Sequence, residues 1–211
     1  MGIFRTAILL LIIVSLSSCA SGYKAIQPRT INFLSTNMEE GIKLEYKYNL
    51  LHKKYGKKEV KKGIKLVAIK ITNETDKNLT FGNDLKLTYE NGTEVEIIEN
   101  DRVFKALKQK PATYLFYLLL TPLNFYTTSS TSGAQPKSSS FPIGLVLGPS
   151  LTGGNMIAAG SANSNFKSDL MIYNINGTMI NAGETKYGLI GIKSDSPDAL
   201  KIKVVKQSET R

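Results

Sequence analysis

A chain of 211 residues with 27 basic and 17 acidic side chains is strongly cationic, at +10, but carries one histidine, one cysteine and no tryptophan. A single cysteine excludes an internal disulfide framework, and a single histidine argues against a histidine-based metal centre. Only four of the cations are arginines, the side chain best suited to bidentate phosphate and base-edge recognition, so the charge does not read as a nucleic-acid surface; lysines facing anionic lipid or polysaccharide fit it better.

The first element is a targeting segment. Residues 1–5 are a short positive leader, and Ala7 to Leu16 is an apolar run of h-region length, too short to span a bilayer as a mature helix. The run ends in Leu16-Ser17-Ser18-Cys19, which resembles the lipobox of bacterial lipoprotein precursors. The resemblance implies recognition of Leu16, Ser17 and Ser18 by a signal peptidase, cleavage of residues 1–18, diacylglycerol on the Cys19 sulfur, and in many bacteria a further acyl chain on the new amino terminus. Several chains make a stable anchor, because each buried CH₂ contributes about 0.8 kcal/mol. The competing reading of Cys19 is a small buried hydrophobe. Ala20 stands where some lipoproteins carry an aspartate that retains them at the inner membrane, which points to the outer membrane and to a lipid-anchored protein of the cell envelope.

Residues 19–37 read as a lipid-anchored tether, and 38–211 as a single β-rich domain. Ile42, Leu44, Tyr46, Tyr48 and Leu50 alternate with polar residues, the pattern of a half-buried strand. Residues 52–63, "HKKYGKKEVKKG", read as a loop with turns at Gly56 and Gly63. Its Lys53, Lys54, Lys57, Lys58, Lys61 and Lys62 are either a contact for an anionic surface or a solvated tip that discourages strand pairing. Residues 64–72, apolar on both faces, read as a central strand, and Asn91-Gly92 as a tight turn between two short strands. Residues 99–111 suggest a short helix with Val103, Phe104 and Leu107 on one side, stopped by Pro111. Strands are expected again at 186–193 and around Leu200, Ile202 and Val204. The four Asn-x-Thr triplets at Asn73, Asn78, Asn91 and Asn176 read as turn chemistry rather than glycan acceptors. Short strands punctuated by Gly and Asn suggest a mostly β fold, an antiparallel sandwich. The closing turn and strand, Gly183-Glu184-Thr185 followed by Gly188-Leu189-Ile190, resemble the end of immunoglobulin-like accessory domains in exported bacterial proteins. The sandwich is interrupted by an apolar, glycine-rich, partly helical insertion at about 111–168.

From Ala112 to Phe166, Lys137 is the one charged residue in 55 positions, where an ordinary domain is about a quarter charged. Two accounts compete. The apolar pieces 112–126 and 141–160 pack as a helical hairpin on the sheet, burying Leu147, or they form a loop that dips into a bilayer or docks on a membrane partner. Pro122 and the glycines between 144 and 160 argue against a full crossing, while Gly144 and Gly148 have the four-residue spacing that lets backbones approach closely. A pocket lined by Leu118, Leu120, Leu145 and Leu147 would make the protein a lipid or hydrophobic-ligand binder.

Little else in the sequence points to chemistry. His52 sits among lysines, the serines around residue 130 lie in a low-complexity linker, and "GPSLTGG" lacks the Gly-Lys-Ser/Thr ending of a phosphate loop. Glu94, Glu96, Glu99 and Asp101 could hold calcium, but pairing with lysines explains them equally well. The sequence therefore predicts a non-catalytic envelope lipoprotein, an interaction or assembly module at the membrane surface with no cofactor. A hydrophobic-ligand binder is the alternative, and a carboxylate-based envelope hydrolase is the weaker third. Expected partners are the membrane, through the lipid anchor, and an envelope protein, anionic lipid or polysaccharide.

Overall fold

The computed structural model of the protein describes residues 19–129 and 137–205. Leu16, Ser17 and Ser18 of the expected lipobox lie outside the described residues. The fold is built mostly of strands in antiparallel sheets with a few helices. The chain divides into two compact units: Gln109–Ala162 together with the described part of Met1–Gly22, and Tyr23–Lys108 together with Asn163–Arg211 as far as residue 205.

The larger unit carries the sheets. Strands β1 (Ser35–Glu39), β2 (Ile42–Lys47) and β3 (Ile64–Asn73) form a meander. Helix α1 (Lys53–Lys62) lies between β2 and β3 in sequence. After β4 (Leu79–Thr80), β5 (Leu85–Tyr89), β6 (Ile97–Ile98) and helix α2 (Asn100–Leu107), the chain leaves this unit. It returns for β9 (Met179–Ile180), β10 (Thr185–Lys193) and β11 (Leu200–Val204). The main sheet has the order β1-β2-β3-β10-β6, and β5 pairs with β11. Both sheets bury side chains in one core: Ile42, Leu44 and Tyr46 of β2 and Val67, Ile69 and Ile71 of β3 meet Leu85 and Leu87 of β5 and Leu200 and Ile202 of β11.

The strand pattern follows the sequence closely at β2, whose burial alternates strictly, and at β3, which lies between β2 and β10 and is largely buried on both faces. The Asn91-Gly92 turn forms, with Gly92 at φ +82° and the Tyr89 N–H donating to the Thr93 carbonyl. The expected hairpin continues only briefly past it, with the Val95 N–H donating to the Leu87 carbonyl at 2.9 Å. After the Thr88–Glu94 bridge the chain leaves β5, which pairs with β11, and β6 joins β10 instead.

The lysine-rich stretch 52–63 is a helix, not a loop. Tyr55 and Glu59, four apart, turn inward. Gly63 ends the helix in the left-handed conformation at φ +59°, its N–H reaching the Glu59 and Val60 carbonyls. Gly56 makes no turn but sits where an added Cβ would lie 2.7 Å from the Leu51 carbonyl oxygen. Tyr55 packs edge-on against Tyr23 and Phe166 and donates its hydroxyl to Asn163 Oδ1 at 2.9 Å.

Residues 19–37 are packed rather than free to act as a tether. Ser21, Ile26 and Pro28 are buried, the Tyr23 hydroxyl and the Ile26 N–H both donate to Asp169 Oδ2 at 2.8 Å, and β1 begins at Ser35. These anchors are distant in sequence, which is why composition alone suggested a tether.

Candidate apolar docking surface

The smaller unit consists of a 3₁₀ helix, Pro111–Leu120, a hairpin of β7 (Phe125–Ser129) and β8 (Lys137–Phe141), and the first part of helix α3 (Gly144–Ile172), whose last turns belong to the larger unit. A 3₁₀ helix repeats every three residues, so positions three apart share a face. Tyr114 and Tyr117 are buried with their rings stacked, and Leu120 packs with them against Ala159. In an apolar segment of period three, one residue per turn faces inward and the other two face solvent. Phe116 and Leu119 are each 73% exposed, and Leu115 and Leu118 are exposed beside them.

Helix α3 meets this segment through glycines. A Cβ at Gly144 would collide with the Leu120 carbonyl, and one at Gly148 would lie 2.6 Å from Thr121 Oγ1 and 3.2 Å from the Tyr117 carbonyl. The inward stripe continues through Leu151, Thr152 and Met156 to Ala159, with Thr152 Oγ1 donating to the Tyr114 carbonyl. The other side of the helix exposes Leu145, Val146 and Ile157. Leu147 is 39% exposed and lies outside the buried cluster of this unit. Of the four leucines expected to line a pocket, Leu118, Leu145 and Leu147 face solvent and Leu120 is half-buried. The hairpin adds exposed Phe125, Tyr126 and Phe141.

Cys19, half-buried, begins the segment that fastens the amino-terminal end to this same unit. The Ala20 N–H donates to Asn155 Oδ1, and Ser21 forms a reciprocal pair with the Gln109 amide: its N–H donates to Oε1 at 3.0 Å and its carbonyl accepts from Nε2 at 2.6 Å. Buried Gln109 also accepts the Tyr114 hydroxyl. This clasp is not legible from composition or spacing, because its partners lie 88 to 135 residues away and are neutral amides.

The lysines of α1 lie on a helix surface. Lys53, Lys57, Lys61 and Lys62 are exposed, Lys54 is half-buried, and the Lys58 ammonium donates to the Lys108 carbonyl. His52 occupies the position before the helix and is exposed. Among the described residues no three His, Cys, Asp or Glu side chains cluster as metal ligands would. An open cleft of about 560 Å³ is lined by Glu39, Glu40, Glu94, Lys86 and Lys203, and the Glu94 carboxylate pairs with Lys86 at 2.9 Å. Asn73 is a buried turn anchor whose amide donates to the carbonyls of Lys77, Ile180 and Asn181.

The site these residues define is a charge-poor apolar surface on the unit that also holds the residue the lipobox resemblance marks for acylation. No protein-family model, curated protein or solved structure matches the chain.

Proposed function

We propose that the chain is a non-catalytic lipoprotein of the cell envelope, anchored through acyl chains on Cys19 at the outer membrane, and that it serves as an interaction or assembly module at the membrane surface. One observation carries the reading: the unit bearing the exposed apolar row Leu115, Phe116, Leu118 and Leu119 is the unit to which residues 19–22 are clasped. Contiguous exposed apolar surface is costly to maintain in water and marks a place of contact. The leader and lipobox residues supply the envelope address. Within this reading the larger unit is a sandwich of the immunoglobulin-like kind, supported by two antiparallel sheets that share one core. The α1 lysines suit an anionic lipid or polysaccharide surface.

The test is metabolic labelling of cells with a fatty-acid analogue, comparing the wild-type chain with Cys19→Ser. Label should appear on the wild type, which fractionates with membranes, and be absent from the variant. Label retained by Cys19→Ser would overturn the anchor.

A further inference from the structure

We propose that the occupant of the exposed apolar surface is the lipid bilayer itself, entered at interfacial depth by Leu115, Phe116 and Leu119 of the 3₁₀ helix and by Phe125, Tyr126 and Phe141 of the hairpin, as a second membrane contact beside the Cys19 acyl chains. This rests on the lipoprotein reading above.

The first argument is distance. Ala20 is already held by Asn155, so one peptide unit, about 3.8 Å from Cα to Cα, separates the acylated residue from the body of the unit. With no slack between anchor and unit, the acyl chains hold this unit at the bilayer rather than away from it. Its surface then meets lipid at high effective concentration, and a modest intrinsic affinity suffices.

The second argument is charge. No carboxylate occurs between Asp101 and Asp169, and the only charged residues in Gln109–Ala162 are Lys110 and Lys137. Nothing in the unit is repelled by anionic headgroups, and no acidic group has to be desolvated as the apolar side chains enter.

Composition separates lipid from a protein partner. Protein interfaces are enriched in arginine and rimmed by polar groups that encode specificity. Gln109–Ala162 has no arginine, and its exposed hydrogen-bonding groups on the hairpin are mainly serines and threonines. Exposed Phe and Tyr beside aliphatic residues match the side chains that membrane-surface proteins place at the headgroup boundary.

Depth follows from the backbone. Among the described residues no helix is long and apolar enough to cross a membrane. The hairpin is a two-stranded sheet whose outer edges have backbone groups that need water, which the hydrocarbon core does not supply. The contact is therefore confined to the interfacial layer.

The chain has no tryptophan, so single reporters can be introduced into the lipidated protein: Phe116→Trp and Tyr126→Trp on the surface, and Val60→Trp, 73% exposed on α1 of the other unit, as reference. Each is reconstituted into vesicles of zwitterionic phosphatidylcholine, which offers the α1 lysines no net negative charge, containing lipids brominated either near the headgroup or near the chain ends. We expect quenching of the 116 and 126 reporters at least about twofold greater than that of the 60 reporter, and stronger with shallow than with deep bromines. Unquenched 116 and 126 reporters in protein that still floats with the vesicles would overturn the bilayer as occupant and leave the lipoprotein reading intact. Equal quenching at position 60 would overturn the assignment to this unit. Protein that carries no acyl chain and fails to float would remove the reading on which the inference rests, and the inference with it. In intact cells, a photoreactive side chain at position 116 that yields one protein adduct and no lipid adduct would also overturn it.

Discussion

Burial pushes the Glu59 carboxyl up to about 7, against the opposing pull of the Leu66 N–H at 2.8 Å and the Lys65 charge. The native state therefore holds a proton that the unfolded chain releases between its ordinary value near 4.5 and about 7. Stability is highest below the lower value, declines as pH rises through this window, and levels off above about 7. Glu59→Gln keeps an oxygen for the Leu66 N–H and removes the charge. It should be more stable than the wild type at pH 8 by about 1 to 2 kcal/mol, with the gain shrinking at pH 5; urea melts at the two pH values measure this, and a gain independent of pH would refute the cause given. Asn73 presents the opposite case, a neutral buried group whose bonds are all satisfied. Its amide serves three carbonyls, and its Oδ1 accepts from the Thr75 N–H and hydroxyl. Asn73→Ala should cost about 2 to 4 kcal/mol, because it leaves polar groups buried without partners. A loss under about 0.5 kcal/mol, the range of ordinary surface substitutions, would mean that water replaces the amide.

Helix α3 places two neighbours in opposite surroundings. Gly148 lies against the end of the 3₁₀ helix, where a Cβ would sit 2.6 Å from Thr121 Oγ1 and 3.2 Å from the Tyr117 carbonyl, and Leu147 beside it is partly in solvent. Gly148→Val should destabilise by about 2 kcal/mol, through overpacking that neither the Tyr117 carbonyl nor the neighbouring backbone can relieve. Leu147→Asp should cost about 1 kcal/mol or less, since its carboxylate can reach water. Thermal melts of the two variants decide, and the reverse order would restore the buried reading of Leu147. Elements with an apolar rhythm were legible in the sequence. Strands β2, β3, β10 and β11 show alternating or continuous apolar residues, and α2 places Val103 and Leu107 four apart before Pro111. Helix α1 was not legible, because the residues it buries are a tyrosine and a glutamate rather than an apolar stripe. The available signals were the helix propensity of its lysines, the Tyr55–Glu59 spacing and a glycine just past the end. Replacing Lys57, Lys61 and Lys62 by Gln should change stability by less than about 0.5 kcal/mol, since all three are exposed and glutamine is nearly as good a helix former. Loss of salt-sensitive vesicle binding in that variant would give the lysines a contact role, and unchanged binding would leave them as solvated charge.

At the scale of the molecule, the uncharged middle of the sequence marked the smaller unit but did not reveal which of its side chains turn inward. Hydrophobicity alone treats Leu118, Leu145 and Leu147 as core, whereas the period of three in the 3₁₀ helix and the glycine contacts of α3 reserve the interior for Tyr114, Tyr117 and Ala159. The two units consequently differ in how much apolar surface they bury. The sheet unit encloses a continuous core that runs from Ile42 to Ile202, and among the described residues the smaller unit closes on a short cluster around two stacked tyrosines. Because local opening free energy follows buried apolar contact, the smaller unit should open without global unfolding. Hydrogen exchange followed by mass spectrometry on the lipid-free chain should show amides of Pro111–Leu120 and of the β7–β8 hairpin exchanging at least about tenfold faster than those of β3 and β10, which sit deepest in the main sheet. A chain in which all these segments exchange at one rate would be a single cooperative body, and the division into two units would carry no energetic meaning. If the bilayer covers the exposed row, adding vesicles to the lipidated protein should slow exchange in the smaller unit and leave β3 and β10 unchanged, because a ligand stabilises the state it binds and only the segments whose opening disrupts that contact.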